Sequence, residues 1–437
     1  MPPNVTPARL AALETLRRVR DGDLADRALE RAAGGLEERD RAWTRELVYG
    51  TFRLRGRLDF LLDALVRGGT ASLGPDVLDV LRLGAYQLLE MGSVPPYAAV
   101  SQSVELAREA GEGRASGLVN GVLQSLRRRG GEIRFPDRAR DPVGWLAAWH
   151  SHPRWLVERW VRLWGVDDAE ALLEADNLRP ELYLRPLRVG VPEARARLEA
   201  AGVAAEEVPF SPDSLRVLPP AGAHEALAAA PAVVQDPAAA LVVRYAAVPE
   251  GALVLDVAAA PGGKALGMAE RARFVAAADL SWRRLRRVRE NAERVGEPLG
   301  CVAADARLPP FRPGAADLVL LDAPCTGTGT FRRHPDGRWR VREDDLAALA
   351  RLQREMLEAA SGLVRPGGWL VYSTCSLEPE ENEEQVDAFL GAHPEFAMDP
   401  AGGAVDDGLL DAAGRLVVLP QRTGVDGAFA ARMRRRT

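Results

Sequence analysis

The sequence predicts a multidomain chain: an all-helical N-terminal domain, a connecting region with a small α+β piece, and a C-terminal α/β domain built on a doubly wound parallel sheet. Three observations carry this prediction. Apolar residues recur at helical spacing through the first 130 positions, and short apolar strands alternate with amphipathic helices from about residue 236. The length of 437 residues also exceeds what a single core ordinarily serves. The boundaries read as 1–130, 131–235 and 236–437.

In chain order, the helical signal comes from Leu13, Leu16 and Val19, then Leu58, Leu61, Leu62 and Leu65, then Leu78, Leu81 and Leu88, and finally Leu118, Val122 and Leu126. "GGTASLGP" and "MGSVPP" break the pattern between them. The Pro/Gly/Arg-rich stretch "RGGEIRFPDRARDPVG" reads as a linker. Trp145, Trp149, Trp155, Trp160 and Trp164 follow at helical spacing, which favours a packed seam over a base-stacking platform. A short α/β pattern around "ELYLRPLRV" and "EARARLEAAGV" leads into the strands "ALVLDVA", "RFVAAADL", "GCVAAD", "ADLVLLDAP" and "WLVYSTCS". Parallel neighbours need long crossovers, which these helices and turns supply, and ligands of such sheets bind beyond the carboxyl ends of the strands.

Hydrophobic content of 47% with 27% charged residues is that of a globular protein. Its longest apolar runs fall short of the roughly 18–20 residues a membrane helix needs. The first twenty residues do not read as a secretory leader, so a cytoplasmic protein with no membrane partner is expected. Three cysteines and five histidines show no zinc spacing, so no metal is expected, and no heptad seam argues against a monomer. The net charge of −5 hides basic runs: "LRRRGG", "RRLRRVR", "RRHPDGRWRVR" and "RMRRR". Each reads equally as a solvated face or as a phosphate contact. Of 57 basic residues only Lys264 is a lysine, which suggests a place where a compact ammonium fits and a guanidinium fork does not.

That lysine closes the turn "AAPGGK", where Gly262 and Gly263 let the backbone approach a ligand. Asp279 and Asp305 end the next two strands; each could cap the following helix or accept hydrogen bonds from ribose hydroxyls. Together with the glycine turn they favour an adenosine-containing cofactor. "LVLLDAPCTGTG" and "WLVYSTCS" then bring Asp322 and Cys325 to one strand end and Cys375 to the next. These thiols sit among Thr, Ser, Gly and Pro, poor company for a structural hydrophobe, whereas Cys301 reads as inert packing. Ser373, Thr374 and Ser376 could donate to a thiolate.

Taken together, "AAPGGK", "DAPCTGTG", "RRHPD" followed by "RW", and "YSTCSLEPEENE" resemble the RNA 5-methylcytosine methyltransferases of the Sun/Fmu family. In the first third, "RELVYGTFR", "LRLGAYQLLEM", "VPPYAAVSQSVELA" and "LVNGVLQSLRRR" resemble the NusB-like helical domain of its small-subunit ribosomal RNA branch. "HPRWLVERW" and "VVQDPAAALV" look like the family's connecting segments. Two positions depart from the family pattern: Ala258 stands where Cys is usual, and Ala265 where Thr is usual.

The resemblance implies a class I, Rossmann-like catalytic domain that transfers a methyl group from S-adenosylmethionine to cytosine C5 in 16S ribosomal RNA. It implies Cys375 as the nucleophile that adds to C6, Cys325 as the group that assists release, and Asp322 at the N3/N4 edge of the base. Lys264 would face that base. The cofactor would lie against Ala258, Ala259, Ala260, Pro261, Gly262, Gly263, Lys264, Asp279, Asp305 and Asp322. Arg332, Arg333, His334, Arg338 and Trp339 would hold RNA by phosphate contact and stacking. Two other classes are open on the residues alone: a small-molecule or protein methyltransferase on the same scaffold, and a non-enzymatic RNA-binding or antitermination factor built on the helical third.

Overall fold

Pro7–Arg20 is helical, and its periodic Leu13, Leu16 and Val19 all lie in the core of the N-terminal region. The structure is a computed structural model and describes residues 5–437. Further helices follow at Ala25–Ala33, Glu38–Asp63, Pro75–Leu89, Pro96–Glu109 and Ser116–Arg129. Pro75 and Pro96 occupy first-turn positions where a missing N–H costs nothing, so the two breaker segments end one helix and start the next. Leu58, Leu61, Leu62, Leu81, Val122 and Leu126 are buried as their spacing predicts, while Leu118 is 39% exposed. Buried Arg82 is held by Asp59 and Asp79, so this core carries a paired charge.

The chain divides into two compact units, residues 1–178 with 331–340, and residues 179–330 with 341–437. The Trp-rich helices Pro142–Trp149, Arg154–Trp164 and Val166–Asn177 therefore belong to the first unit. Trp160 is fully buried there and Trp145 stacks on Trp149 at 6.1 Å, the packed seam that helical spacing favours. The expected linker is pinned as well: Phe135 stacks on Phe60 at 4.7 Å and meets Trp149 edge-on at 5.1 Å. Ile133 and Phe135, packed against the helical core, explain why a Pro/Gly/Arg-rich composition misreads it as free.

In the second unit a small antiparallel sheet comes first: β1 (Leu182–Pro186), β2 (Ala205–Val208), β3 (Ser211–Val217) and β4 (Ala232–Val234), in the order β2-β3-β1-β4. Leu184 and Leu215 pack against Ala194, Leu198 and Ala226 of its two helices. The large sheet contains β5 (Leu253–Asp256), β6 (Phe274–Asp279), β7 (Gly300–Ala303), β8 (Ala316–Asp322), β9 (Val364–Thr374), β10 (Phe396–Met398), β11 (Leu416–Val418) and β12 (Ala428–Arg435). Its order is β10-β12-β9-β8-β5-β6-β7, with β11 also paired to β12.

β5 to β9 are parallel, as expected, but β10, β11 and β12 join antiparallel, so the sheet is mixed. The basic tail "RMRRR" is thereby largely strand: Arg432 is 6% exposed, donates to the Ala246 and Asp399 carbonyls and stacks over Trp369. It is structural and offers no free basic arm. Alternate residues of β5, β8 and β9 enter two cores, Val254, Leu318, Leu320 and Val371 on one face and Leu255, Val319, Leu321 and Tyr372 on the other. The connections run to opposite sides from β5, so its carboxyl end beside β8 is the switch point at which such sheets open a crevice.

Candidate active site

β5 ends at Asp256 and β8, its neighbour in the sheet, at Asp322; the Asp322 side chain is part-exposed at the crevice, while Asp256 is fully buried. Gly262 adopts φ +103°, a conformation open to glycine, and starts the helix Gly263–Ala269, whose second residue is Lys264. Lys264 Nζ reaches Asp322 Oδ2 at 2.6 Å, and Ser373 Oγ, in register on β9, donates to Asp322 Oδ1 at 2.8 Å. Asp322 is thus oriented from both sides. The carboxylate holds Lys264 above its ordinary pKa against the opposing effect of burial, with the charge of Cys375 adding to it, so the ammonium stays charged.

Cys325 and Cys375 converge, with 3.4 Å between their sulfurs. Cys325 is pushed well up by its hydrogen bond to Cys375, by burial, and by the charges of Cys375 and Glu381. Among these groups Lys264 is the cation that interacts with Cys375. The hydroxyls expected to donate to a thiolate are engaged elsewhere: Ser373 on Asp322, Thr374 on Asn382 and Ser376 on Glu381. A sequence run of small polar residues does not say where each hydroxyl points; the strand end rotates these three to different partners.

Sequence reasoning missed what holds the two turns together. Gly329 N donates to the Cys375 carbonyl at 3.0 Å and its own carbonyl accepts from Gly427 N at 2.6 Å. A Cβ at Gly329 would lie 2.7 Å from Gly427 Cα and 2.8 Å from the Cys375 oxygen, so three backbones meet where only glycine fits. Glu381, part of an acidic run that normally marks a solvated face, has no exposed surface. Its carboxylate accepts from Thr326 N at 3.0 and 3.2 Å, Thr326 Oγ1, Ser376 Oγ at 2.5 Å and Gln353 Nε2 at 2.9 Å. Asp256 is the other missed group: burial first and the charge of Asp322 second push it up to about 8.

On the cofactor side, Ala258 and Ala260 are half-buried, Ala259 and Gly262 buried, and Pro261 exposed. Asp279, 1% exposed, accepts from Ala260 N, Ser281 N, and Arg284 Nε and Nη2 at 3.0 and 2.5 Å. Asp305 lies two residues beyond β7 and is gripped by Arg307. Ser281, not either aspartate, caps the following helix, so the cap alternative fails for Asp279. The buried Gln235 Oε1, beside Gly263, has no hydrogen-bond partner among the described residues. These acceptors suit a ligand rich in hydroxyl and ammonium donors, and Leu280 and Leu308, 74% and 82% exposed, add apolar surface next to the two aspartates.

The segment expected to hold RNA is corrected in part. Arg338 has no exposed surface; it donates to the carbonyls of Arg53, Ser151, Asp176 and Phe331 and to Asn177 Oδ1, all within the first unit. Arg332 is 4% exposed. Trp339 gives its indole N–H to the Phe52 carbonyl at 2.7 Å and its ring to Arg55. Arg338 is thus held inside by converging carbonyls, which a guanidinium serves well, while Arg332 is buried and Trp339 half-buried with its indole N–H engaged. Arg333 and His334 remain half-exposed, His334 facing Asp26 at 3.4 Å. His150, Glu170 and Glu174 bring ligand atoms within 4.8 Å of one another, a cluster invisible in the spacing, but Arg138 already pairs with Glu170.

The chain matches three family profiles: the NusB family over residues 6–128, the ferredoxin-like domain of RsmF/B-like methyltransferases over 152–223, and the 16S rRNA methyltransferase RsmB/F family over 245–434. It is 34% identical over 444 residues to the ribosomal RNA small subunit methyltransferase B of Klebsiella pneumoniae, covering 100% of both chains. It is 36% identical to the protein of that name in Vibrio cholerae, covering 90% of this chain and 92% of that one. Among solved structures, PH0851 aligns over 99% of both chains at 28% identity with a TM-score of 0.81.

Proposed function

The chain belongs to the RsmB/F family of 16S rRNA methyltransferases, and from that membership we propose that it methylates cytosine C5 through a covalent cysteine adduct. The observation that carries the reading is the pair of sulfurs 3.4 Å apart, beside the Lys264–Asp322 pair. S-adenosylmethionine, when bound, supplies an electrophilic methyl group on a sulfonium. Ala258 to Lys264, Asp279, Asp305 and the neighbourhood of Asp322 would hold it, with Arg284 and Arg307 yielding the two carboxylates to ribose hydroxyls.

Cytosine C5 is a weak nucleophile, which is why thiol chemistry is required. The Cys375 sulfur adds to C6, and the electron pair moved toward N3 makes C5 enamine-like. Asp322 would accept a hydrogen bond from the N4 amino group, and the Lys264 ammonium beside it offsets the negative charge that develops at N3. After C5 has accepted the methyl group its proton leaves to a base, the C5–C6 double bond re-forms, and the carbon–sulfur pair returns to Cys375. Cys325, in contact with that sulfur, shares its proton with it as it departs. Lys264 holds Asp322 in place. A base inside a helix would be extruded first or met unpaired.

A ribosomal RNA substrate implies work in the cytoplasm by a chain acting as a monomer, with Arg333 and His334 as RNA contacts. No helix among the described residues is long and apolar enough to cross a membrane. The test is a denaturing gel after incubation with S-adenosylmethionine and 16S RNA. Cys325→Ala is expected to accumulate a protein–RNA adduct, and Cys375→Ala to give neither adduct nor product. Product formed by Cys375→Ala would discard the assignment.

A further inference from the structure

Glu381 is buried without a cation: among the described residues all its side-chain partners are neutral donors. Such a carboxylate is costly unless every lone pair is used, and here four groups from three elements converge on it. Thr326 follows Cys325, Ser376 follows Cys375, and Gln353 lies on the helix Glu343–Ser361. Gln353 Nε2 also donates to the Pro324 carbonyl at 2.9 Å, just before Cys325, and Tyr372 O–H donates to the Glu381 carbonyl at 2.6 Å. One side chain therefore ties both thiol-bearing turns to one helix. Its uncompensated charge also falls on the neighbouring groups; the titratable ones facing Cys325 are Cys375 and Glu381, with Tyr372 beyond.

We propose that Glu381 is a positioning residue of the transfer reaction: it locks the two thiol turns at contact distance and sets its buried charge against Cys325. This deepens the two-thiol reading above and rests on it. A solvated or merely space-filling glutamate would leave the reactivity of Cys325 unchanged.

The test uses the full chain with Cys301→Ser and Cys375→Ser, so that Cys325 is the single thiol, and follows its alkylation by iodoacetamide against pH. Glu381→Gln keeps the shape and removes the charge. It is expected to speed alkylation near neutral pH by about tenfold, while Glu381→Asp keeps it slow. Equal rates in Glu381→Gln and its parent would overturn the charge role. In the otherwise native chain Thr326→Val cuts a tie and leaves the charge. It is expected to lower kcat with the KM for S-adenosylmethionine unchanged, and a native kcat there would overturn the tying role. Alkylation needs no RNA, so its outcome stands apart from whether Cys375 forms an adduct with the base.

Discussion

Asp256 shows how one residue near the Lys264–Asp322 pair carries a pH signature. Its carboxyl has no exposed surface, Oδ2 has no hydrogen-bond partner, and burial followed by the nearby Asp322 raises it to about 8. A carboxyl raised in the folded state holds its proton after the unfolded chain has lost it. Its contribution to stability is full below about pH 4 and is lost as pH rises toward about 8. Asp256→Asn cannot ionise, so wild type is expected to lose stability relative to it across that window, by at most about 1.4 kcal/mol per pH unit. Parallel melting curves for the two proteins through the window would contradict the buried proton. Lys264 belongs to the same scale: its Nζ enters the crevice at 2.6 Å from Asp322, a contact a point-like ammonium makes and a five-donor fork would crowd.

The turns beyond β8 and β9 set the next scale. The strand ends were legible because runs such as "LVLLD" and "WLVYST" stop at polar residues, and Asp322, Cys325 and Cys375 could be assigned to one edge on that basis alone. What joins the turns was not legible, since Glu381 and Gly329 reach them from places with no periodic signal. Gly329→Ala must displace either the Gly427 backbone or the Cys375 carbonyl. A shift near 1 Å at a reacting group costs on the order of a hundredfold in rate, so its kcat is expected to fall by about that factor while cooperative unfolding is retained. Native turnover would mean that the loops relax without moving the thiol. β12 was missed for the opposite reason: "RMRRR" has the composition of a tail, yet Met433 faces the core and the arginines find carbonyls and Trp369.

Over the whole molecule, the first unit is not continuous in sequence, because Phe331–Arg340 arises between β8 and β9 and packs with residues 1–178. Arg338 is its anchor, with five acceptors drawn from three other stretches of that unit and from Phe331. Burial lowers its pKa to about 10, so it is still charged at neutral pH. Arg338→Met would strand several buried acceptors, each worth roughly 1–3 kcal/mol when unsatisfied. A loss of at least ~3 kcal/mol in denaturant unfolding of the first unit is expected. Unchanged stability together with weakened RNA binding would return this arginine to the RNA-facing role its motif implied.

The amino-acid order alone determined the all-helical beginning, the parallel strands of the α/β domain, the turn at Lys264 and the strand-end positions of both thiols. These follow from local periodicity and from where apolar runs stop, quantities that neighbouring residues define. Tertiary structure alone decided that the sulfurs touch, that Glu381 lies unexposed between the two thiol-bearing turns, that the sheet gains antiparallel strands, and that Arg338 faces inward. Each of those depends on which distant segments supply hydrogen-bond partners and exclude water, and a linear spacing holds no record of that.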